Sequence, residues 1–348
     1  MTAPLPDMPA VQYAEVNGIR MAYYEAGPKG VGVPIVFSHG FPEIAYSWRH
    51  QIKALADAGR WVIAPDQRGY GLTKGPEAVE AYDIENLTAD LIGLIDHCGA
   101  KTAIWCGHDW GGFVVWQMAL RYPQRTAGVI GLNTPYTPRG STDPIAVMRA
   151  RMGEEMYIVH FQKPGEADAI LAKNPRNTMD FFLRRPLNAP PAGASPEVAQ
   201  AFSGEGSKGF ASERPKDGPS VFPLARMVEA YDPANDRRPY FLTDDEFEVF
   251  VETFTRTGFT GGINWYRNMT RNWARSEGIP VQVEVPSLMV MAEKDAVLPP
   301  SSADGMGAVI PDLEKVLVTG SGHWTQQEEP EQVNRIMLEW LGRRFPQS

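Results

Sequence analysis

The chain has 348 residues, 43% of them hydrophobic and 22% charged, enough for one large α/β domain with an insertion or for two domains. Its 33 basic residues against 42 acidic ones leave a net charge of -9, which argues against a nucleic-acid partner. Cys98 and Cys106 resemble neither a disulfide framework nor a metal site and fit a reducing compartment.

Near the start, Met1 to Pro6 has no basic region or apolar core, and no apolar run approaches the ~18 residues of a membrane span. A cytoplasmic location is therefore expected. Val11 to Val16 and Ile19 to Tyr24 flank Asn17-Gly18, a two-residue hairpin signal. Pro34 to Ser38 reads as a buried strand running into the turn His39-Gly40-Phe41-Pro42. A helix is expected from Trp48 to Ala58, a strand from Trp61 to Ala64, and an amphipathic helix from Asp83 to Cys98. The strand Thr102 to Cys106, the turn Gly107 to Gly112 and the helical stretch Phe113 to Leu120 follow. Another strand is expected over Val129 to Leu132. Such alternation implies a mostly parallel sheet covered by helices on both sides.

The rhythm breaks after Pro138. To about Pro280 the chain reads as helical patches and loops, and 188–222 is rich in Pro, Gly, Ala and Ser, as an irregular excursion would be. Thr243-Asp244-Asp245-Glu246 reads as a capped helix start. Alternation resumes with strands Pro286 to Ala292 and Lys315 to Val318, and a final helix carries Val333, Ile336, Met337, Trp340 and Leu341 on one face. The expected organisation is a core domain (1–138 and 281–348) interrupted by a helical cap (139–280). Ligands of open α/β sheets bind at the carboxyl ends of the strands, where such a cap would cover them.

The chemistry centres on Asp109. It occupies the apex of a strand–turn–helix elbow, Gly107-His108-Asp109-Trp110-Gly111, where a serine often stands. A carboxylate is already ionised at neutral pH, since free Asp titrates near ~4. It can displace a leaving group from saturated carbon and leave an ester on the enzyme. Water must then break that ester, and the water needs a base. His323, in Gly320-Ser321-Gly322-His323-Trp324 after the last strand, stands where the order nucleophile, acid, histidine puts it. Asp295 is the acid expected to orient it, favoured over Glu293 and over the strand end near Leu132, where Asn133 cannot ionise. The tetrahedral oxyanion is expected to meet the N–H groups of Phe41 and Trp110. His108 is read as pointing away from the reaction, Glu43 as a solvated turn residue with an orienting role near the oxyanion turn as the alternative, and Asp66-Gln67-Arg68-Gly69-Tyr70-Gly71 as a structural turn in which Asp66 and Arg68 could pair.

With these residues in view, the sequence resembles the soluble epoxide hydrolases of the α/β-hydrolase superfamily. His39-Gly40-Phe41-Pro42, Gly107 to Gly112, the Asp295 segment and Gly322-His323-Trp324-Thr325 match family motifs, as does Asn264-Trp265-Tyr266-Arg267-Asn268 in the cap. The resemblance implies the α/β-hydrolase fold and two lid tyrosines. One is Tyr266. The other falls in Tyr157 to Pro164 and is assigned to Tyr157, although His160 stands where members often have a further tyrosine. The implied reaction converts a small hydrophobic epoxide and water to a vicinal diol. Phe41, Trp48 and Trp110 would line the pocket, and neither an organic cofactor nor a metal is called for. A haloalkane dehalogenase is the nearest rival, but it often carries Asn where Phe41 stands. A ligand-binding protein on a hydrolase scaffold is the second alternative, though it need not keep every catalytic group. Monomer and homodimer are both compatible with the sequence.

Overall fold

The structure, a computed structural model, describes residues 5–186 and 222–347. β1 (Val11–Val16) and β2 (Ile19–Ala26) form the expected hairpin, in which Val16 pairs with Ile19. Asn17 and Gly18 both adopt positive φ, as a two-residue turn matched to the strand twist requires. The other strands are β3 (Ile35–Ser38), β4 (Val62–Pro65), β5 (Ala103–His108), β6 (Thr126–Leu132), β7 (Ser287–Ala292) and β8 (Leu313–Val318). The sheet runs β1-β2-β4-β3-β5-β6-β7-β8, parallel from β4 onward and antiparallel where β2 meets β1 and β4.

Side chains alternate across this sheet and divide the apolar interior in two. Val36, Ile63, Trp105, Val129 and Met289 face α2 (Ile84–Cys98) and α3 (Trp110–Arg121). Phe37, Val62, Cys106, Ile130 and Val290 share the other core with α1 (Arg49–Asp57) and the C-terminal helix Pro330–Arg344. Trp48, expected in the pocket, belongs to this second core. It is fully buried and stacks on Phe37 with ring centroids 4.7 Å apart. Trp48 is the last residue of a short helical turn, Ala45–Trp48, that carries the ring under the sheet, away from the Phe41 side.

Between β6 and β7 the described chain adds helices and no strand to the sheet, apart from an isolated Arg184–Tyr240 bridge. These helices are α4 (Pro144–Met152), α5 (Tyr157–His160), α6 (Glu166–Lys173), α7 (Pro175–Phe182), α8 (Leu224–Glu229), α9 (Asp244–Thr257), α10 (Thr260–Arg267) and α11 (Met269–Arg275). All but Phe222 of the expected 188–222 excursion lies outside the described residues. The start of α9 is capped as read from the sequence: the Thr243 hydroxyl accepts the Glu246 N–H, and the Glu246 carboxylate accepts the Thr243 N–H. Glu246 also takes a 2.7 Å bond from Arg49 of α1, which is almost fully buried. The Trp265 indole donates to the Arg68 carbonyl at 3.1 Å, so α10 is tied directly to the turn after β4.

That turn differs from the expectation in its ion pair. Arg68 binds Asp90 of α2 through two short bonds, while Asp66 accepts the backbone N–H groups of Ala45 and Leu72. Burial raises the Asp66 carboxyl to about 6, against the lowering effect of those two donors. Among the described residues, no helix is long and apolar enough to cross a membrane.

The junction of β5 with α3 is the tightest point of the fold. A Cβ on Gly111 would lie 1.8 Å from the Ser38 carbonyl oxygen. Backbone cannot yield as a flexible side chain does, so Gly111→Ala is expected to cost ~3 kcal/mol or more of stability. Urea unfolding monitored by circular dichroism checks this; a midpoint equal to that of the parent protein would contradict it.

Candidate active site

Asp109 lies between β5 and α3, at the N-cap of the helix, with φ 50° and ψ -122°, a conformation L side chains rarely adopt. The elbow therefore holds the carboxylate up at the carboxyl edge of the sheet. The Thr134 hydroxyl donates to the Asp109 carbonyl at 2.7 Å and braces it from the end of β6. Opposite, a Cβ on Gly40 would lie 2.4 Å from the Asp109 Cβ, so only glycine lets the β3 turn come this close. That approach brings the Phe41 N–H within 2.8 Å of Asp109 Oδ1.

The other carboxylate oxygen, Oδ2, faces His323 Nε2 at 3.6 Å. His323 Nδ1 lies 2.9 Å from Asp295 Oδ2. Asp295 is almost fully buried, and its remaining capacity is filled. The N–H groups of Val297 and Leu298 reach Oδ1 at 2.8 and 3.0 Å, and the Asn133 amide reaches Oδ2 at 2.6 Å. Burial alone would raise this carboxyl, yet His323 and these donors hold it far below the ordinary carboxylate range. Glu293, the weighed rival, is exposed and instead accepts the Gly320 N–H at 2.8 Å.

Burial would lower the His323 imidazole, but Asp295 and Asp109 together raise it well above the usual histidine value. Both carboxylates favour the charged ring, and once either is neutralised the ring loses its proton more readily and its neutral form becomes available. Tyr157 and Tyr266 come from α5 and α10. Their ring centroids lie 5.9 Å apart, and Tyr266 packs edge-on against Trp110 at 4.9 Å and Phe41 at 5.5 Å. Desolvation, with the Asp109 charge next, raises both phenols. Both therefore stay protonated, as hydrogen-bond donors. Phe161, Phe182 and Phe259 also surround the Phe41 ring, at 5.9, 6.0 and 6.4 Å between centroids.

Asp109, Asp295, His323, Phe41, Trp110, Tyr157 and Tyr266 thus converge, whereas Trp48 does not. The backbone of Trp110 opens α3 directly after Asp109. Several residues support the site in ways that the sequence left second or unassigned. Glu43 is wholly buried rather than solvated: it accepts the Gly40 N–H at 2.9 Å, contacts His108 Nδ1 at 2.7 Å and takes a 2.7 Å bond from Gln326. Burial would raise the Glu43 carboxyl, but His108 and Gly40 hold it below its usual range. His108 turns away from the reacting face, as read, and its Nε2 meets the His323 carbonyl at 2.6 Å. Asn133 cannot ionise, yet its amide N–H donates to Asp295 itself. No local pattern marks Thr134 or Glu43; only the fold brings them here.

The geometry has counterparts. The family described as alpha/beta hydrolase fold matches residues 33–330. Epoxide hydrolase A of Mycobacterium tuberculosis is 43% identical over 338 residues, covering 96% of this chain and 97% of that protein. Bifunctional epoxide hydrolase 2 of Mus musculus is 38% identical over 93% of this chain, which spans 54% of that longer protein. The crystal structure of epoxide hydrolase A from Mycobacterium thermoresistibile superimposes with a TM-score of 0.82 at 42% identity, covering 96% of this chain and 98% of that one.

Because Asp109 contributes to the raised His323 value, Asp109→Ala should lower the pKa of that imidazole relative to the parent protein. Titration of the histidine ring nitrogens by NMR reads this directly. An unchanged or higher value would show that the Asp109 charge does not act on the ring.

Proposed function

The chain belongs to the epoxide hydrolases of the α/β-hydrolase superfamily, hydrolases that act on ether bonds, and from that premise we propose how its own residues convert an epoxide and water to a vicinal diol. In the first half-reaction Asp109 attacks a ring carbon through Oδ2, the oxygen not held by the Phe41 N–H. The carbon–oxygen bond breaks with its electron pair on the departing oxygen. Tyr157 and Tyr266 hydrogen-bond that oxygen and one of them supplies its proton, which leaves a hydroxyalkyl ester on Asp109. Alkoxide is a poor leaving group, so two phenols held protonated by burial are what this step needs.

Esterification removes the Asp109 charge, and with it one of the influences that raise His323. The imidazolium then gives up its proton more readily; that proton goes, through solvent, to restore the phenol, and the neutral ring takes a new one from water. Hydroxide attacks the ester carbonyl, and the tetrahedral oxyanion rests against the N–H groups of Phe41 and Trp110, each worth ~3 kcal/mol in such a role. Asp295 stabilises the imidazolium formed. Collapse expels the diol, which takes up the proton, and the regenerated carboxylate carries one oxygen from water.

The observation that carries this reading is the gathering of two cap phenols, Tyr266 buried and Tyr157 half-buried, around the Phe41 and Trp110 rings that flank the elbow carboxylate Asp109. Phe41, Trp110, Phe161 and the two tyrosine rings suit a hydrophobic epoxide. Phe41 also replaces the Asn that a dehalogenase often uses to bind halide. We assign residues 139–280 as the cap and 1–138 with 281–348 as the core. Both cysteines are free and buried, which suits a reducing compartment, and the cytoplasm is the location we propose.

His323→Gln exposed to an aryl epoxide should retain the substrate's mass on the peptide containing Asp109, as seen by mass spectrometry. An unmodified peptide despite proven binding would remove the covalent route. In a single turnover in heavy-oxygen water, the label should enter Asp109 and be absent from the diol. Tyr157→Phe and Tyr266→Phe should each slow ester formation by ~100-fold, and the double variant should nearly abolish it. Stopped-flow alkylation rates measure this; a double variant close to wild type would disqualify the phenols.

A further inference from the structure

His323 sits in a loop, and a loop has no ladder of its own to fix the direction of a side chain. Its neighbouring backbone groups are held instead by side chains: the Thr325 hydroxyl donates to the Gly322 carbonyl at 3.0 Å, and Glu328 and His108 hold others. The Glu328 carboxylate lies in α12 (Thr325–Glu328), one turn beyond the histidine. Its Oε2 accepts the Gly322 N–H and its Oε1 accepts the Trp324 N–H, each at 2.9 Å. These are the residues immediately before and after His323. His108 meets the carbonyl of His323 itself. Glu328 is 1% exposed, and no bond of its carboxylate reaches a reacting group.

We propose that Glu328 is a positioning residue for the second half-reaction: by bracketing the peptide groups on both sides of His323, it sets the direction of the imidazole toward the Asp109 ester. This rests on the reading of His323 as the base. Burial raises the Glu328 carboxyl to about 7, while the Gly322 and Trp324 N–H groups favour its ionised form, in which both oxygens accept and both flanking N–H groups donate. The surrounding anchors keep the loop in place without it. The Trp324 indole donates to the Phe182 carbonyl at 2.6 Å, and Arg185 binds Glu329 at 2.8 Å. Loss of the bracket should therefore turn the ring rather than unfold the segment. Asp109, Tyr157 and Tyr266 take no bond from Glu328, so alkylation should be spared.

Glu328→Gln separates the two halves. The amide accepts through one oxygen and turns N–H groups toward the second donor, so one bond of the bracket is lost. Displacement of a catalytic group by ~1 Å can cost on the order of 100-fold, so the hydrolysis rate should fall by ~10- to 100-fold. Alkylation in a single turnover should stay within about 3-fold of the parent. The ester should accumulate at steady state, and kcat and KM should fall together with little change in kcat/KM. A merely structural role gives a different pattern, with fewer alkylatable sites, lower kcat and unaltered KM. That pattern, or equal slowing of both steps, or unchanged hydrolysis, would overturn the assignment. If the glutamine variant does not fold, Glu328→Asp keeps the charge with a shorter reach and should show the same selectivity to a smaller degree, judged by the same criteria. His323→Gln run alongside distinguishes the failures. An adduct there with no selective effect at position 328 overturns only this inference, whereas no adduct there removes the covalent reading and this inference together.

Discussion

The positive φ of Asp109 is the constraint on which the catalytic centre depends. It is imposed by α3 packing against the end of β3, through a contact that leaves no room for a Cβ at Gly111. Sheet register then does the rest. β3, β5, β6 and β7 are neighbours in one parallel array, so the loops leaving their carboxyl ends must meet. Those loops carry Phe41, Asp109, Thr134 and Asp295. A side chain raised on an elbow in their midst meets an amide from one loop and a brace from another, and it faces the imidazole that a third holds in place. The strain of an unusual backbone is tolerable because the surrounding contacts leave it no alternative.

Electrostatics at the centre follow from one imidazole placed between two carboxylates. Asp295 is dry and saturated with donors, so its charge is permanent over the physiological range. Asp109 is the carboxylate that can be neutralised by reaction. The same chemical event that consumes the nucleophile thereby changes the character of the base. Among the described residues, this pair is met by backbone amides and neutral phenols. Fixed dipoles of this kind need little reorganisation as charge moves from Asp109 to the epoxide oxygen and later to the ester oxyanion.

Much of this was legible in the residues. Asp109, Asp295 and His323 sit on punctuated loops after apolar β-branched runs, where pattern and chemistry point the same way. Tyr157 and Tyr266 became visible only through resemblance, since a tyrosine among apolar residues of a helix is otherwise a core aromatic. Trp48 shows where the reading fails: an aromatic a few residues beyond the oxyanion turn looks like a pocket wall, but one short helical turn carries it beneath the sheet. Glu43 escapes for the opposite reason, and Glu328 carries no sequence signal at all. A carboxylate in a polar loop reads as solvated unless the donors that bury it are known, and those donors lie on other segments or on backbone. Arg68 is similar, because sequence offers the nearby Asp66 as a partner while the fold offers Asp90.

The proposed groups for the two half-reactions come from different parts of the chain. The phenols that would assist the departing oxygen stand on α5 and α10, within the insertion, whereas the nucleophile, acid and base stand on the interrupted scaffold. Selection can therefore act on the two separately. A lineage that rewrites its inserted helices can change which leaving group it handles while inheriting an intact apparatus for cleaving the resulting ester, and divergence within such a superfamily should run faster in the lid than beneath it.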